Sequence, residues 1–196
     1  MEISMLPIDM FTSLLNIEIA LFDVDMTLID VRERYYKSLE DISVSPSTPF
    51  YKLPPYKKGM FWNVFLSEKY LHTDKPIKEC IDKLKKRYDE GKGIILITGR
   101  PERLRKATIS QLQLFDIPYH HLIMRPEGNR EPDYELKPKL IGELISLGLQ
   151  IIEYHEDDWR TIKVINKKFP WIRTCLHKYM GFETRFSPPE EPDQRT

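Results

Sequence analysis

Four polar groups punctuate this 196-residue chain in a way that invites chemistry. Asp23 and Asp25 stand two residues apart, with Thr27 two further on, in FDVDMT. Thr98-Gly99-Arg100 follow in ITGRP, Lys137 lies in ELKPK, and Glu156-Asp157-Asp158 close the set in EYHEDDW. Taken singly, each has a plain structural reading. An Asp pair makes a turn or a cap, Thr98 and Gly99 make a turn, Lys137 is a solvated lysine, and Asp158 is a helix N-cap. Gathered in one place, the carboxylates would repel unless positive charge lay among them. A divalent cation together with Lys137 would supply that charge.

The elements around these residues say whether they can gather. Short apolar, β-branched runs at 17–24 (IEIALFDV), 94–98, 122–124, 149–154 and 171–176 predict about five buried strands. Ile77, Cys80, Ile81, Leu84 and Tyr88 follow the spacing of one helical face, ended by Gly91 and Gly93. Pro101 and Pro138 each fit the first position of a further helix, and Asp158 fits the cap of a last one carrying Ile162, Ile165 and Phe169. Strands alternating with helices predict an α/β three-layer sandwich, a central parallel sheet with helices on both faces. In such sheets ligands collect beyond the carboxyl ends of the strands. Every group named above falls at a predicted strand end or helix start.

The expected organisation is an N-terminal extension (1–16), a core made of 17–30 and 75–180, and a flexible tail (181–196). Residues 31–74, rich in Pro, Tyr, Phe and Trp, form an inserted lid with one helix near 61–70, because a structureless loop of that length would be unusual. The lid aromatics read chiefly as its own small core. Lys52, Lys57 and Lys58 among them would also suit a nucleotide or a nucleic-acid end. Lys plus Arg (30) equals Asp plus Glu (30), so no global charge draws the chain to nucleic acid or an anionic membrane. No apolar run is long enough to span a bilayer, so no membrane partner is expected. Cys80 and Cys175 read as buried free thiols in a reducing, cytoplasmic setting. His155 adjoins the acidic cluster but needs no catalytic role there.

Asp23-x-Asp25-x-Thr27, Thr98-Gly99-Arg100, Lys137 and Glu156-Asp157-Asp158, in that order, resemble the four motifs of the haloacid-dehalogenase-like (HAD) superfamily. The likeness runs from about residue 19 to residue 176 and looks closest to the small-lidded polynucleotide-phosphatase branch. It departs at Met26, where Gly is usual, and in the acidic motif, which lacks a Gly-Asp start.

The resemblance implies a Rossmann-like HAD core and a Mg²⁺-dependent phosphohydrolase acting on phosphate monoesters through an aspartyl-phosphate. Asp23 would be the nucleophile and Asp25 the general acid and base. Asp23, the Asp25 carbonyl and Asp157 would hold Mg²⁺, with Asp158 or Glu156 as a further ligand. Thr98, Gly99 and Lys137 would bind phosphate, with Thr98 and Lys137 counted among the catalytic groups. Thr27 and Arg100 would orient Asp25 and the substrate. The implied partner is a phosphorylated small molecule or a nucleotide or oligonucleotide end. A nucleic-acid 3'-end phosphatase of a repair type is one alternative, and a non-catalytic phospho-ligand-binding HAD-like module is another. A signalling receiver domain fits less well, because its acidic pair and acceptor Asp fall on separate strands.

Overall fold

The apolar runs form a parallel sheet whose central strand delivers the first motif. A computed structural model describes residues 8–178. In chain order the elements are β1 (Glu18–Phe22), β2 (Ile29–Asp30), α1 (Arg32–Asp41), α2 (Pro55–Phe65), β3 (Lys75–Pro76), α3 (Lys78–Asp89), β4 (Gly93–Pro101), α4 (Arg105–Leu114), β5 (His121–Arg125), α5 (Asp133–Ser146), β6 (Gln150–Glu156), α6 (Trp159–Lys168) and β7 (Arg173–Leu176). The five-stranded sheet has the order β5-β4-β1-β6-β7, with every pair parallel. The chain leaves β1 for one side of the sheet and returns to β6 on the other. A crevice therefore opens beyond β1, where the order reverses.

Strand alternation divides the core in two. Ala20, Phe22, Ile94 and Leu96 face α3 and α4 with Cys80, Ile81, Leu84 and Leu112. Ile19, Leu21, Ile95 and Ile97 face α5 and α6 with Leu136, Leu140, Ile141 and Ile165. These are the three layers that the alternating pattern predicts. Among the described residues no helix is long and apolar enough to cross a membrane.

Several boundaries differ from the sequence reading. Pro101 ends β4, where it pairs with Arg125, and also caps a 3-10 turn (Glu102–Leu104) that leads into α4 at Arg105, so the helical stretch starts one residue after the expected position. Pro138 lies inside α5, which starts at Asp133 behind Pro132. The earlier start places Asp133 and Lys137 one turn apart on one face, with 3.4 Å between carboxylate and ammonium. Residues 8–14 make a 3-10 segment whose Phe11 and Leu14 are buried against the α5 face, so this stretch packs on the core. The expected flexible tail at 181–196 lies outside the described residues.

The lid segment holds two helices, α1 and α2, and α2 ends at Phe65, short of the expected 70. Its two ends are joined by the antiparallel pair β2–β3. Tyr35, Phe50, Phe61 and Phe65 are buried together, in one cluster with Phe22 and Leu96 of the sheet. Tyr56 and Trp62 stay exposed on α2. Lys57 donates to the Ile42 carbonyl, and Lys52 and Lys58 lie over the rings of Tyr51 and Phe50.

Candidate active site

Past the end of β1 the backbone turns sharply, and the turn carries the first motif. Asp23 N donates to the His155 carbonyl at 2.9 Å, which continues the β1–β6 pairing by one residue. Met26 then adopts φ of 63°, a left-handed conformation that favours glycine, and its N–H donates to Ile29 O at 2.7 Å. The Met26 side chain is buried, which offsets this strain with apolar burial.

The first centre of the site is a carboxylate cluster around one ammonium. Lys137, on α5, is 2% exposed, and its Nζ lies 2.6 Å from Asp23 Oδ1 and 2.7 Å from Glu156 Oε2. Asp23, Glu156 and Asp157 each offer an oxygen within 4.8 Å of the others. Burial pushes the Asp23 carboxyl well above the usual carboxylate range, Glu156 adds to this, and Lys137 opposes it. Burial and then the neighbouring Glu156 and Asp23 push Asp157 up likewise. Burial works against the charged form of Lys137, but Asp23 and Glu156 outweigh it and hold the ammonium well above its ordinary value. Three carboxylates against one lysine leave a surplus of negative charge, and all the donors are hard oxygens. That donor set fits a hard divalent cation.

Glu156 and Asp158 have other duties in the same loop. Glu156 accepts from Lys137, from the Tyr154 hydroxyl, and from the amides of Asp157 and Asp158 at 3.0 and 3.2 Å. Asp158 caps α6: Oδ1 accepts from Arg160 N at 3.2 Å and Oδ2 from the Thr161 hydroxyl at 3.1 Å. The expectation of Asp158 as a metal ligand is therefore corrected, since its oxygens are engaged by the Arg160 amide and the Thr161 hydroxyl and it stands outside the cluster of Asp23, Glu156 and Asp157. Asp158→Ala should cost about 1 kcal/mol of stability through the lost cap. Asp157→Asn should leave stability unchanged or raised, because it removes one of three crowded charges. Urea melts of the two variants without added metal check the contrast.

The second centre is a clamp on Asp25. Arg100 Nε lies 3.0 Å from Asp25 Oδ1 and Arg34 Nη2 lies 2.9 Å from the same atom, with both arginines fully buried. Burial pushes the Asp25 carboxyl up, but Arg100 and then Arg34 override it and hold it down at about 2. Arg100 is thus a buried partner of Asp25. Its remaining N–H groups reach Thr108, Gln111 and Asp74. Thr27 does not orient Asp25: its buried hydroxyl has no hydrogen-bond partner among the described residues. Arg34 and Asp74, both missed in the sequence, complete the clamp, with Arg34 Nε 3.0 Å from Asp74 Oδ1 though not aligned as a hydrogen bond. Arg34 sits in the charged run RERYYK, which reads as a solvated helix face and gives no signal of burial.

Asp74 titrates in the opposite direction to Asp25. Burial pushes its carboxyl from 3.8 up to about 6, against the pull of Arg34 and Arg100. The folded state then holds this proton more tightly than the unfolded chain. The resulting stability is full below about 3.8 and is lost as pH rises through about 6. Asp74→Asn should flatten that part of the stability–pH curve, measured as the urea midpoint across the same range.

The third centre is the end of β4. The β4–β5 register shifts between Thr98 and Pro101, which releases Gly99 and Arg100 from regular pairing. Thr98 is buried, and its hydroxyl accepts from Arg100 N at 3.2 Å. These residues lie in a strand end, so the expected helix N-terminus at Thr98 is corrected: α4 begins only at Arg105. Gly99 is needed for close approach. A Cβ there would sit 2.6 Å from Asp133 Oδ2, and Asp133 is held by Arg125 and Lys137.

The region carrying Thr98, Lys137 and Asp157 matches the family model described as the polynucleotide kinase PNKP phosphatase domain, over residues 64–167, just over half of the chain. The chain belongs to the PNKP phosphatase-domain family. That family is one of HAD-like phosphatase domains, and the fold agrees with it. Among solved structures, a chain of the Pnkp1/Rnl/Hen1 complex is 19% identical with a TM-score of 0.60, over 86% of this chain and 47% of that one. A predicted phosphatase from Clostridium acetobutylicum is 15% identical with a TM-score of 0.62, over 87% and 91%. A haloacid dehalogenase-like hydrolase from Streptococcus pneumoniae is 11% identical with a TM-score of 0.58, over 88% and 91%. At these identities the likeness is one of fold. This PNKP phosphatase-domain chain spans about half the length of the Pnkp1-complex chains it matches. No curated protein matches its sequence.

Proposed function

We propose that this chain is a Mg²⁺-dependent phosphatase that removes the phosphate from a polynucleotide end, through an aspartyl-phosphate on Asp23. The observation that carries the reading is the contact of one buried lysine with both Asp23 and Glu156, beside Asp157. It assembles a nucleophile, a counter-charge and a cation site at one strand end. The polynucleotide end is the finer part of the proposal, and it rests on the family match. The exposed Tyr56 and Trp62 of the lid are suited to stacking on bases.

Asp23 and Asp157 would hold the Mg²⁺ directly, with Glu156 fixing Asp157 and Lys137 in place. The bound cation would neutralise the phosphate and keep Asp23 ionised. Lys137 orients Asp23 through Oδ1 and leaves Oδ2 to attack phosphorus in line. Asp25, held ionised by its two arginines, is ready to take the proton from the water that hydrolyses the aspartyl-phosphate. To protonate the leaving oxygen in the first step it must gain a proton, and it gains one if the substrate phosphate draws a guanidinium away. Thr98 can donate its hydroxyl proton to a phosphate oxygen while accepting from Arg100 N.

The test is an activity screen with Mg²⁺ on p-nitrophenyl phosphate, sugar phosphates, nucleotides, and oligonucleotides phosphorylated at one end. Turnover should be lost with EDTA and in Asp23→Asn, and a 3'-phosphorylated oligonucleotide should give the highest kcat/KM. Preference for small phosphate esters would overturn the polynucleotide end. Absence of turnover on every substrate would leave a phospho-ligand-binding module.

A further inference from the structure

The opposite face of β6 carries a second cluster of polar side chains. Along β6, Tyr154 and Glu156 point toward α5 and α6, so Glu153 and His155 point toward α3. β7 runs parallel, with Glu153 opposite Arg173 and His155 opposite Cys175. Cys175 and, two residues on, His177 therefore share the face of His155. Cys80 of α3 packs onto them from above: its Sγ lies 3.0 Å from His177 Nδ1 and 3.7 Å from His177 Nε2. His177 Nε2 in turn lies 2.9 Å from His155 Nδ1. The other nitrogen, His155 Nε2, is bound to Glu153, which Arg87 and Arg173 hold from the far side. One oxygen of Glu153, one nitrogen of His155 and Cys175 Sγ lie within 4.8 Å of one another.

We propose that Cys80, His155, Cys175 and His177 form a binding site for a thiophilic divalent cation of the zinc class, separate from the acidic site, with Glu153 orienting His155. Two thiolates and two imidazoles are a preferred tetrahedral donor set for zinc, whereas the hard oxygens around Asp23 are not. A tetrahedron with metal–nitrogen bonds of about 2.0–2.1 Å and metal–sulfur bonds of about 2.3 Å has edges of about 3.3–3.8 Å. The contact of His177 Nε2 with Cys80 Sγ, at 3.7 Å, falls inside that range, and its contact with His155 Nδ1, at 2.9 Å, falls below it, so the two imidazoles must part slightly to share a cation. The Glu153 carboxylate on Nε2 fixes the His155 tautomer with Nδ1 free to ligate, as outer partners of metal-bound histidines do. Phe22 stacks on the His155 ring at 4.1 Å between centroids and restrains its plane. Binding displaces two thiol protons to solvent, so the cation and two thiolates sum to zero charge in a largely buried place.

Without a metal the same atoms form a hydrogen-bond relay from Cys80 through His177 and His155 to Glu153, and the experiment separates the two. The full chain, reduced, stripped with chelator and held in excess Mg²⁺, is titrated with Co²⁺. One equivalent should give the intense visible spectrum of tetrahedral cobalt with a thiolate-to-metal charge-transfer band, bleached by Zn²⁺. Cys175→Ser and Cys80→Ser should lose charge-transfer intensity, while Asp157→Asn should keep it. No charge-transfer band in the parent protein, or a band untouched by both cysteine variants, overturns the proposal. A weak octahedral spectrum that vanishes in Asp157→Asn does so as well. Should the cysteine variants fail to fold, X-ray absorption of the zinc-loaded parent protein decides: sulfur in the inner shell supports the site, and nitrogen and oxygen alone overturn it.

Discussion

Lys137→Met should destabilise the protein by about 3–5 kcal/mol and abolish its turnover. Removing one partner of a buried ion pair leaves the other charge without compensation, and here two carboxylates, Asp23 and Glu156, lose the same ammonium. Methionine preserves most of the side-chain volume, so the loss reports charge rather than a cavity. The sign with pH is fixed by Asp23, which burial already pushes upward. In the variant its carboxyl rises further and the folded state takes up a proton that the unfolded chain gives up. The destabilisation is therefore small in acid and grows as pH rises above the ordinary carboxylate range. Added Mg²⁺ should recover part of the stability without restoring activity. Urea melts at two pH values, with and without Mg²⁺, check this. A loss under about 1 kcal/mol at neutral pH would remove Lys137 from the charge balance of the site.

Arg100→Met should have an effect of similar size by a different route. Asp25 would keep only Arg34, and its carboxyl would rise from about 2, since Arg100 is the larger of the two pulls. Asp74, Thr108 and Gln111 lose a partner together, so stability should fall by about 3–5 kcal/mol. The reading specific to Asp25 is kinetic. If ionised Asp25 takes the proton from water, the acid limb of the kcat profile moves to higher pH in the variant. Arg100→Lys should fail to restore the profile, because an ammonium cannot reproduce the planar fork that contacts Asp25 through Nε and Nη2 at once. A profile unchanged in shape, with stability alone reduced, would make Arg100 a purely structural residue.

The sheet and the rim of the site were legible in the sequence, and for one reason. Runs such as 94–98 are apolar on both faces, as strands covered by helices must be, and the residues that end them are the first free to be polar. Asp23, Thr98 and Asp157 could be placed at or near strand ends from that alone, whereas Lys137, expected at a helix start, lies one turn inside α5. The clamp on Asp25 was not legible, because its parts come from elements whose inward faces are polar. Arg34 and Ser38 of α1 are buried, and an inward arginine breaks the pattern by which a helix face is recognised. Proline placed one helical start slightly early and the other a full turn late. Pro101 satisfies the first position of a helix but equally the end of a strand, where its missing N–H falls at a shift in the ladder. Pro138 sits within α5 because Pro132 had already set the entrance of that helix. Asp158 carried two readings, cap and ligand, and local hydrogen bonds to the first turn of α6 decided it.

The lid aromatics and the sheet share a single apolar cluster, and the segment is sutured at its base by β2 and β3. Swinging it outward would strip Phe61, Phe65 and Tyr35 from their neighbours at a cost on the order of 1.5–3 kcal/mol for each large side chain. The segment is therefore fixed to the core rather than hinged on it. Any substrate of Asp23 would then have to come in along a standing wall, with no leaf swinging aside to admit it.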